Sequence, residues 1–186
     1  MMKDKLFFYN VNMKYVRDLS KIDDNVLSVS PQAGKQNRPF IGILVMINGK
    51  QYCAPITSPK PKHKTMPKNF DYLKIIGRVG DKEDIIGVIN FNNMIPVHKS
   101  VIYPIELKVF PGDDHQTQKY KILVGNQLKW CRSHSEAILK NAQKTYEIIV
   151  SGTGSQSLKK RCCSFKKLEE VLEKRLGIKS SDKSDS

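Results

Sequence analysis

Residues 40–56 read FIGILVMINGKQYCAPI, an apolar run from Phe40 to Ile47, the dipeptide Asn48-Gly49, and a second strand-like run from Lys50 to Ile56. Asparagine and glycine both tolerate the positive φ of a type I′ turn, so this pair between two apolar runs predicts a tight β-hairpin. The second strand delivers the chain directly into Thr57–Lys64, TSPKPKHK, which packs two hydroxyls, three lysines and a histidine into eight residues. Pro59 and Pro61 each fix their own φ and push the preceding residue towards extended conformations, so this segment is expected to be a stiff, exposed loop with no helix. Such a loop holds Ser58 and Lys60 ready for an anion, and its cations repel one another unless something negative sits among them. The plainer alternative is a solvated basic loop.

On the N-terminal side, Leu6–Val11 has the composition of a buried strand. Asn12 is placed to cap a short helix whose Val16, Leu19 and Ile22 repeat at helical spacing, which leaves Tyr15, Arg17 and Asp18 nearer the other faces. Asn25–Pro39 is polar, holds proline, glycine and serine, and reads as a long loop. On the C-terminal side, Tyr72–Val79 and Ile85–Phe91 are predicted strands around the charged turn GDKED. Pro96 makes Met94–Val97 an edge strand or bulge. A helical pair is predicted between about Gln116 and Val150, broken near Ser133–Ser135, with Tyr120, Leu123, Val124, Leu128 and Cys131 facing inward, then Ile138, Leu139, Ala142 and Tyr146. Ser151–Ser157 reads as a flexible connector. After Ser164 a last helix is expected to bury Phe165, Leu168, Val171, Leu172 and Leu176 and to stop at Gly177. Successive strands followed by helices predict an α+β fold, a compact antiparallel β-barrel or sheet elaborated by several helices. One domain is expected over residues 1–178, with a disordered tail over 179–186.

Lys+Arg 32 against Asp+Glu 18 gives a net charge of +14 over 186 residues, which makes RNA, DNA or an anionic membrane the candidate partners. The longest apolar run, Phe40–Ile47, is too short to span a membrane, and the opening MMKDKLFFYNVN is too short in apolar residues for a signal peptide, so a cytoplasmic protein is expected. Cys53, Cys131, Cys162 and Cys163 form no C-x-x-C, which points to reduced, structural thiols with neither a zinc site nor a disulfide framework. Several chemistry-bearing patterns fail. Gly112-Asp113-Asp114 has the letters of a polymerase metal motif but sits beside Pro111 just before a helix, where aspartate is an ordinary turn or cap residue. No phosphate-binding glycine loop and no H-E-x-x-H occurs, and His98, His115 and His134 lack ligand spacing, so no metal or other cofactor is expected.

Basic charge concentrates in Thr57–Lys74, with five lysines including Lys62, Lys64 and Lys68 against one aspartate, and in Lys159–Lys179, with eight Lys/Arg against three Glu. Lys159, Lys160 and Arg161, read as part of the connector, are placed to grip phosphates. RNA supplies its own nucleophile in the 2′-OH. An enzyme cutting it without metal must orient that group in line, neutralise the phosphorane and assist the leaving 5′-oxygen. Thr57 and Ser58 suit the orienting task and Lys60 the charge. A lysine base would need its pKa brought from about 10.4 to near 7.5, roughly 4 kcal/mol of differential destabilisation, so charge stabilisation is the favoured role for Lys60 and a base role is the alternative. His63, whose unperturbed pKa is near neutral, is the proton-transfer candidate.

RPFIGILV from Arg38, the Asn-Gly hairpin, YCAPITSPK ending at Lys60 and GVINFNNMIPV from Gly87 together resemble the ToxN/AbiQ family of type III toxin-antitoxin endoribonucleases, and the chain looks like a CptN-like member. KYVRDL from Lys14 and FKKLEE from Phe165 follow the same order. The resemblance implies a MazF/Kid-like core. It implies metal-independent, sequence-preferring cleavage of cellular or phage RNA to a 2′,3′-cyclic phosphate and a 5′-hydroxyl. It also implies inhibition by a small pseudoknot antitoxin RNA, released by the toxin from a tandem-repeat transcript and alternating with it in a closed ring. By the same resemblance the site comprises Tyr15, Arg38, Thr57, Ser58 and Lys60, with His63 following. Arginine cannot serve as a base, so Arg38 is expected to clamp phosphate, and Tyr15 either stacks on a base or is a core aromatic. The competing classes are a non-catalytic RNA-binding module and, with no recognition helix in view, a double-stranded DNA binder.

Overall fold

The computed structural model describes residues 6–27 and 40–178. Arg38, most of the expected 25–39 loop and the tail after residue 178 lie outside them. In chain order the elements are β1 (Phe8–Val11), α1 (Met13–Ser20), β2 (Phe40–Ile47), β3 (Lys50–Thr57), α2 (Lys62–Thr65), β4 (Tyr72–Val79) and β5 (Lys82–Asn90). A 3-10 turn (Phe91–Asn93) leads to β6 (Ile95–Pro96), β7 (Ile102–Pro104), α3 (His115–Ser133), α4 (Ser135–Val150), α5 (Gln156–Arg161) and α6 (Phe165–Arg175).

The predicted hairpin is present. Asn48 and Gly49 take φ of 49° and 76°, and β2 pairs with β3 from Ile47↔Lys50 to Gly42↔Pro55. The sheet is antiparallel, runs β4-β5-β3-β2-β1-β7 and stays open, with β4 and β7 at its ends. β3 is its hub. One edge is occupied by β2, while the other pairs first with β6 at Tyr52 and Cys53 and then with β5 at Ile56 and Thr57. That switch of partner fixes where β3 ends and therefore where the basic segment begins.

Ile43, Ile47, Tyr52, Ile75, Ile89 and Ile95 are fully buried beneath the helices, each contributing about 1.5–3 kcal/mol of transfer free energy. α4 lies on β2, α6 on β6 and α3 on β4. Gln127 of α3 donates to the Ile86 carbonyl at 2.8 Å, and Gly87 leaves the room for it, since a Cβ there would stand 2.7 Å from the Gln127 amide nitrogen. A polar knot sits inside this apolar layer. Glu169 of α6 accepts from Tyr52 at 2.7 Å, Tyr146 at 2.8 Å, Lys166 at 3.2 Å and from Lys50, so one carboxylate ties together β3, α4 and α6. Burial alone would raise that carboxyl, but the donors together hold it below its ordinary range.

Several expectations are corrected. Asn12 does cap α1, accepting from the Tyr15 amide at 3.0 Å, but the buried face is Tyr15, Val16 and Leu19. Ile22 is exposed, because the helix ends at Ser20 and Ile22 lies past its cap. Tyr120, Leu123 and Leu139 are likewise exposed on α3 and α4, since Val124, Gln127, Leu128 and Cys131, then Ile138, Ala142 and Tyr146, meet the sheet. The GDKED turn is tighter than expected, and Lys82–Asp84 already belong to β5. Lys159, Lys160 and Arg161 lie on α5, not in a connector. Ser155 caps that helix through the Leu158 amide at 3.2 Å, and the buried Leu158 anchors it. All four cysteines are buried and free. Asp114 caps α3 through the Thr117 amide at 2.7 Å, and Asp113 pairs with Lys121 at 2.7 Å, as ordinary turn residues do.

Candidate active site

The sheet hands over at Thr57. Its side-chain hydroxyl accepts from Asn90 Nδ2 at 3.0 Å, which pins the last residue of β3 to the last residue of β5. The next residues do not form the uniform extended loop that the prolines predict. Pro61 sits at φ −50°, ψ −38° and opens the one-turn helix α2, as proline can where its missing N–H is not needed. That turn buries His63, whose Nδ1 accepts from the Lys60 amide at 2.8 Å, while the His63 amide donates to the Lys60 carbonyl at 2.9 Å. A backbone N–H can only donate, so Nδ1 is unprotonated and the remaining proton is on Nε2. Burial, then the charges of Lys62, Lys60 and Lys74, lower the imidazole pKa and keep it neutral. Lys74 donates to the Met66 carbonyl at 2.8 Å and fastens the far end of the segment to β4.

The facing wall comes from remote parts of the chain. Asp71, buried just before β4, accepts from Arg161 Nε at 2.9 Å. Asparagines fix that arginine's backbone. Asn92 Nδ2 donates to the Arg161 carbonyl at 3.1 Å, Asn25 Nδ2 to the Lys160 and Cys162 carbonyls at 3.1 Å each, and Asn93 Nδ2 to the Asn25 carbonyl at 2.8 Å. Between the walls lies a cleft of about 590 Å³, lined among others by Thr57, Lys60, Lys62, His63, Asn90 and Arg161. Cations, a hydroxyl and amides facing one another can hold a phosphate and steady negative charge developing on it.

The structure thus brings together Thr57, Lys60, Lys62, His63 and Arg161. Ser58 is exposed between Thr57 and Lys60 but does not line the cleft. Lys64 is exposed beside Asp84 at 3.8 Å, and Lys68 lines a neighbouring groove with Trp130. Lys159 and Lys160 are exposed on α5. Tyr15 is fully buried with its hydroxyl donating to the Pro96 carbonyl at 2.7 Å, so it has no free face for a base and is a core aromatic. His63 is corrected as well, because its Nδ1 lone pair is committed to holding the loop. Sequence reading did not single out Asp71, Tyr72 or the asparagines; the run Asn90, Asn92, Asn93 at the end of the predicted Ile85–Phe91 strand was the available signal.

An open antiparallel sheet carrying a cationic, amide-rich cleft at the end of its central strand has the make-up of a polyanion-binding α+β protein. The family model described as "Toxin ToxN, type III toxin-antitoxin system" matches residues 7–173, and the chain belongs to that family. It is 30% identical over 172 residues to endoribonuclease ToxN of Bacillus thuringiensis subsp. kurstaki, covering 90% of this chain and 83% of that one. Against endoribonuclease ToxN of Pectobacterium atrosepticum it is 28% identical over 163 residues, covering 88% and 90%. A solved structure described as selective toxin inhibition by a non-coding RNA pseudoknot in a type III system superposes with a TM-score of 0.73 at 26% identity, covering 93% of this chain and 99% of that one. Among the described residues no helix is long and apolar enough to cross a membrane.

Proposed function

We propose that the chain is an endoribonuclease toxin of a type III toxin-antitoxin system, acting in the cytoplasm on cellular or phage RNA and held inactive by a small pseudoknot RNA cut from its own repeat transcript. The observation that carries this reading is that Thr57 and Lys60, and Arg161 remote from them in the chain, line one cleft. RNA laid there puts its scissile phosphate among cations. The 2′-hydroxyl gives up its proton to solvent water as its oxygen attacks phosphorus, the O2′–P bond forms, the P–O5′ bond breaks and the leaving 5′-oxygen takes a proton from water, so the products are a 2′,3′-cyclic phosphate and a 5′-hydroxyl. Such a displacement needs alignment and charge neutralisation more than covalent participation by the protein. Thr57 within the cleft and the exposed Ser58 next to it in the chain align the phosphate, Lys60 and Arg161 carry its charge, and Arg38 adds a second guanidinium clamp. Lys62, Lys64, Lys68, Lys159 and Lys160 dock the strand on either side. His63 serves by presenting Lys60, and Tyr15 by fixing α1 against β6. The antitoxin, being RNA, uses the same cationic surface, and a repeating toxin–RNA contact closes into a ring.

The test is cleavage of a single-stranded RNA in EDTA with analysis of the ends. Cyclic phosphate and 5′-hydroxyl ends, with at least a hundredfold slower cutting by Ser58→Ala, are expected. RNA bound but left intact by the wild-type protein, or 5′-phosphate ends, would replace this reading with a binding module or a different chemistry.

A further inference from the structure

Two buried polar atoms in the cleft have no part in the cutting chemistry. Asp71 is 2% exposed, and while its Oδ2 takes the Arg161 hydrogen bond, its Oδ1 has no partner among the described residues. Tyr72, 8% exposed, follows it in the chain and lines the same cleft, and its hydroxyl is likewise without a partner. A buried carboxylate oxygen and a buried phenol left unpaired are costly, and proteins keep such groups chiefly where something else pairs with them. A carboxylate repels phosphate, so Asp71 is out of place if the cleft holds only an RNA backbone. Arg161 offsets its charge and fixes its orientation, leaving Oδ1 as a pure acceptor. In a nucleic-acid cleft the donors that meet such an acceptor are the amino groups of bases, and a neighbouring hydroxyl can donate to the adjacent ring nitrogen or carbonyl. Three of the asparagines lining the cleft are otherwise engaged through their amide nitrogens: Asn90 holds Thr57, Asn92 holds Arg161 and Asn93 holds Asn25.

We infer that Asp71 and Tyr72 form a nucleobase subsite that selects a base bearing an exocyclic amino group at one position beside the scissile phosphate. The inference rests on the ribonuclease reading and adds to it the residues that set sequence preference. The test is to sequence every cut end produced from a random-sequence single-stranded RNA pool by wild type, Asp71→Asn and Tyr72→Phe, with thermal unfolding of each protein measured alongside. At one flanking position the wild-type preference for amino-bearing bases over uracil should fall about tenfold or more in Asp71→Asn and change at the same position in Tyr72→Phe. Unaltered preference at every position in both folded variants overturns the subsite and leaves the ribonuclease reading standing. So does a uniform slowing at all positions, which would reduce Asp71 to a support for Arg161. Should Asp71→Asn fail to fold, Tyr72→Phe decides alone. A wild-type protein that yields no cut ends defeats the ribonuclease reading itself.

Discussion

His63 is a titratable side chain used as scaffold. Its Nδ1 holds the amide of Lys60, and burial followed by three lysine charges keeps its pKa below the ordinary value of 6.5. The unfolded chain therefore takes up the proton more readily than the folded one. The contribution is present above about pH 6.5 and is lost as the pH falls through the lowered folded value. The denaturation midpoint should accordingly drop on acidification below about pH 6.5, and His63→Gln should flatten that limb; an equally steep limb in the variant would assign it to other groups. The sequence marked this histidine as a proton-transfer candidate by its near-neutral unperturbed pKa. Its neutrality was not legible, because that depends on which amide lies 2.8 Å from the ring. The same holds for Tyr15, whose burial follows from the rotation of α1 against Pro96 and from no local signal.

Elements that nucleate locally were the readable ones. The Asn48-Gly49 hairpin needs nothing beyond its own turn and two apolar strands, and it appears in register. α5 and β7 escaped notice because six and three residues carry too little periodicity; each is held by tertiary contact, through Leu158 in one case and through β1 in the other. The Asp71–Arg161 wall escaped for a related reason, its partners being 90 residues apart in the chain. β5 illustrates how packing behind the cleft can govern the groups within it. It carries Asn90 to Thr57, and its position against α3 depends on the space left by Gly87 beside Gln127. Gly87→Ala should displace Gln127 from the Ile86 carbonyl and cost about 1–3 kcal/mol in chemical denaturation, with a parallel fall in cleavage rate. Undiminished stability would mean that the glutamine swings aside freely and that α3 does not set the position of β5.

At the scale of the whole molecule, an open sheet with helices packed against it and a charge of +14 suits a polyanionic partner whether or not that partner is cut. Net charge was the first property legible in the sequence and the least discriminating, since an enzyme and a binding module share it. What separates them is the localisation of a few groups in one cleft, and Lys60 is the group on which the enzymatic reading depends most. The direct measurement is a single-turnover cleavage rate in EDTA, taken together with RNA affinity, for wild type and Lys60→Ala. The predicted result is a rate at least a hundredfold lower in Lys60→Ala, with affinity changed by less than about tenfold, because one phosphate contact among many is lost from binding while the transition state loses its principal counter-charge. Equal cutting by the two proteins, or a loss of rate that merely follows a loss of affinity, would contradict it.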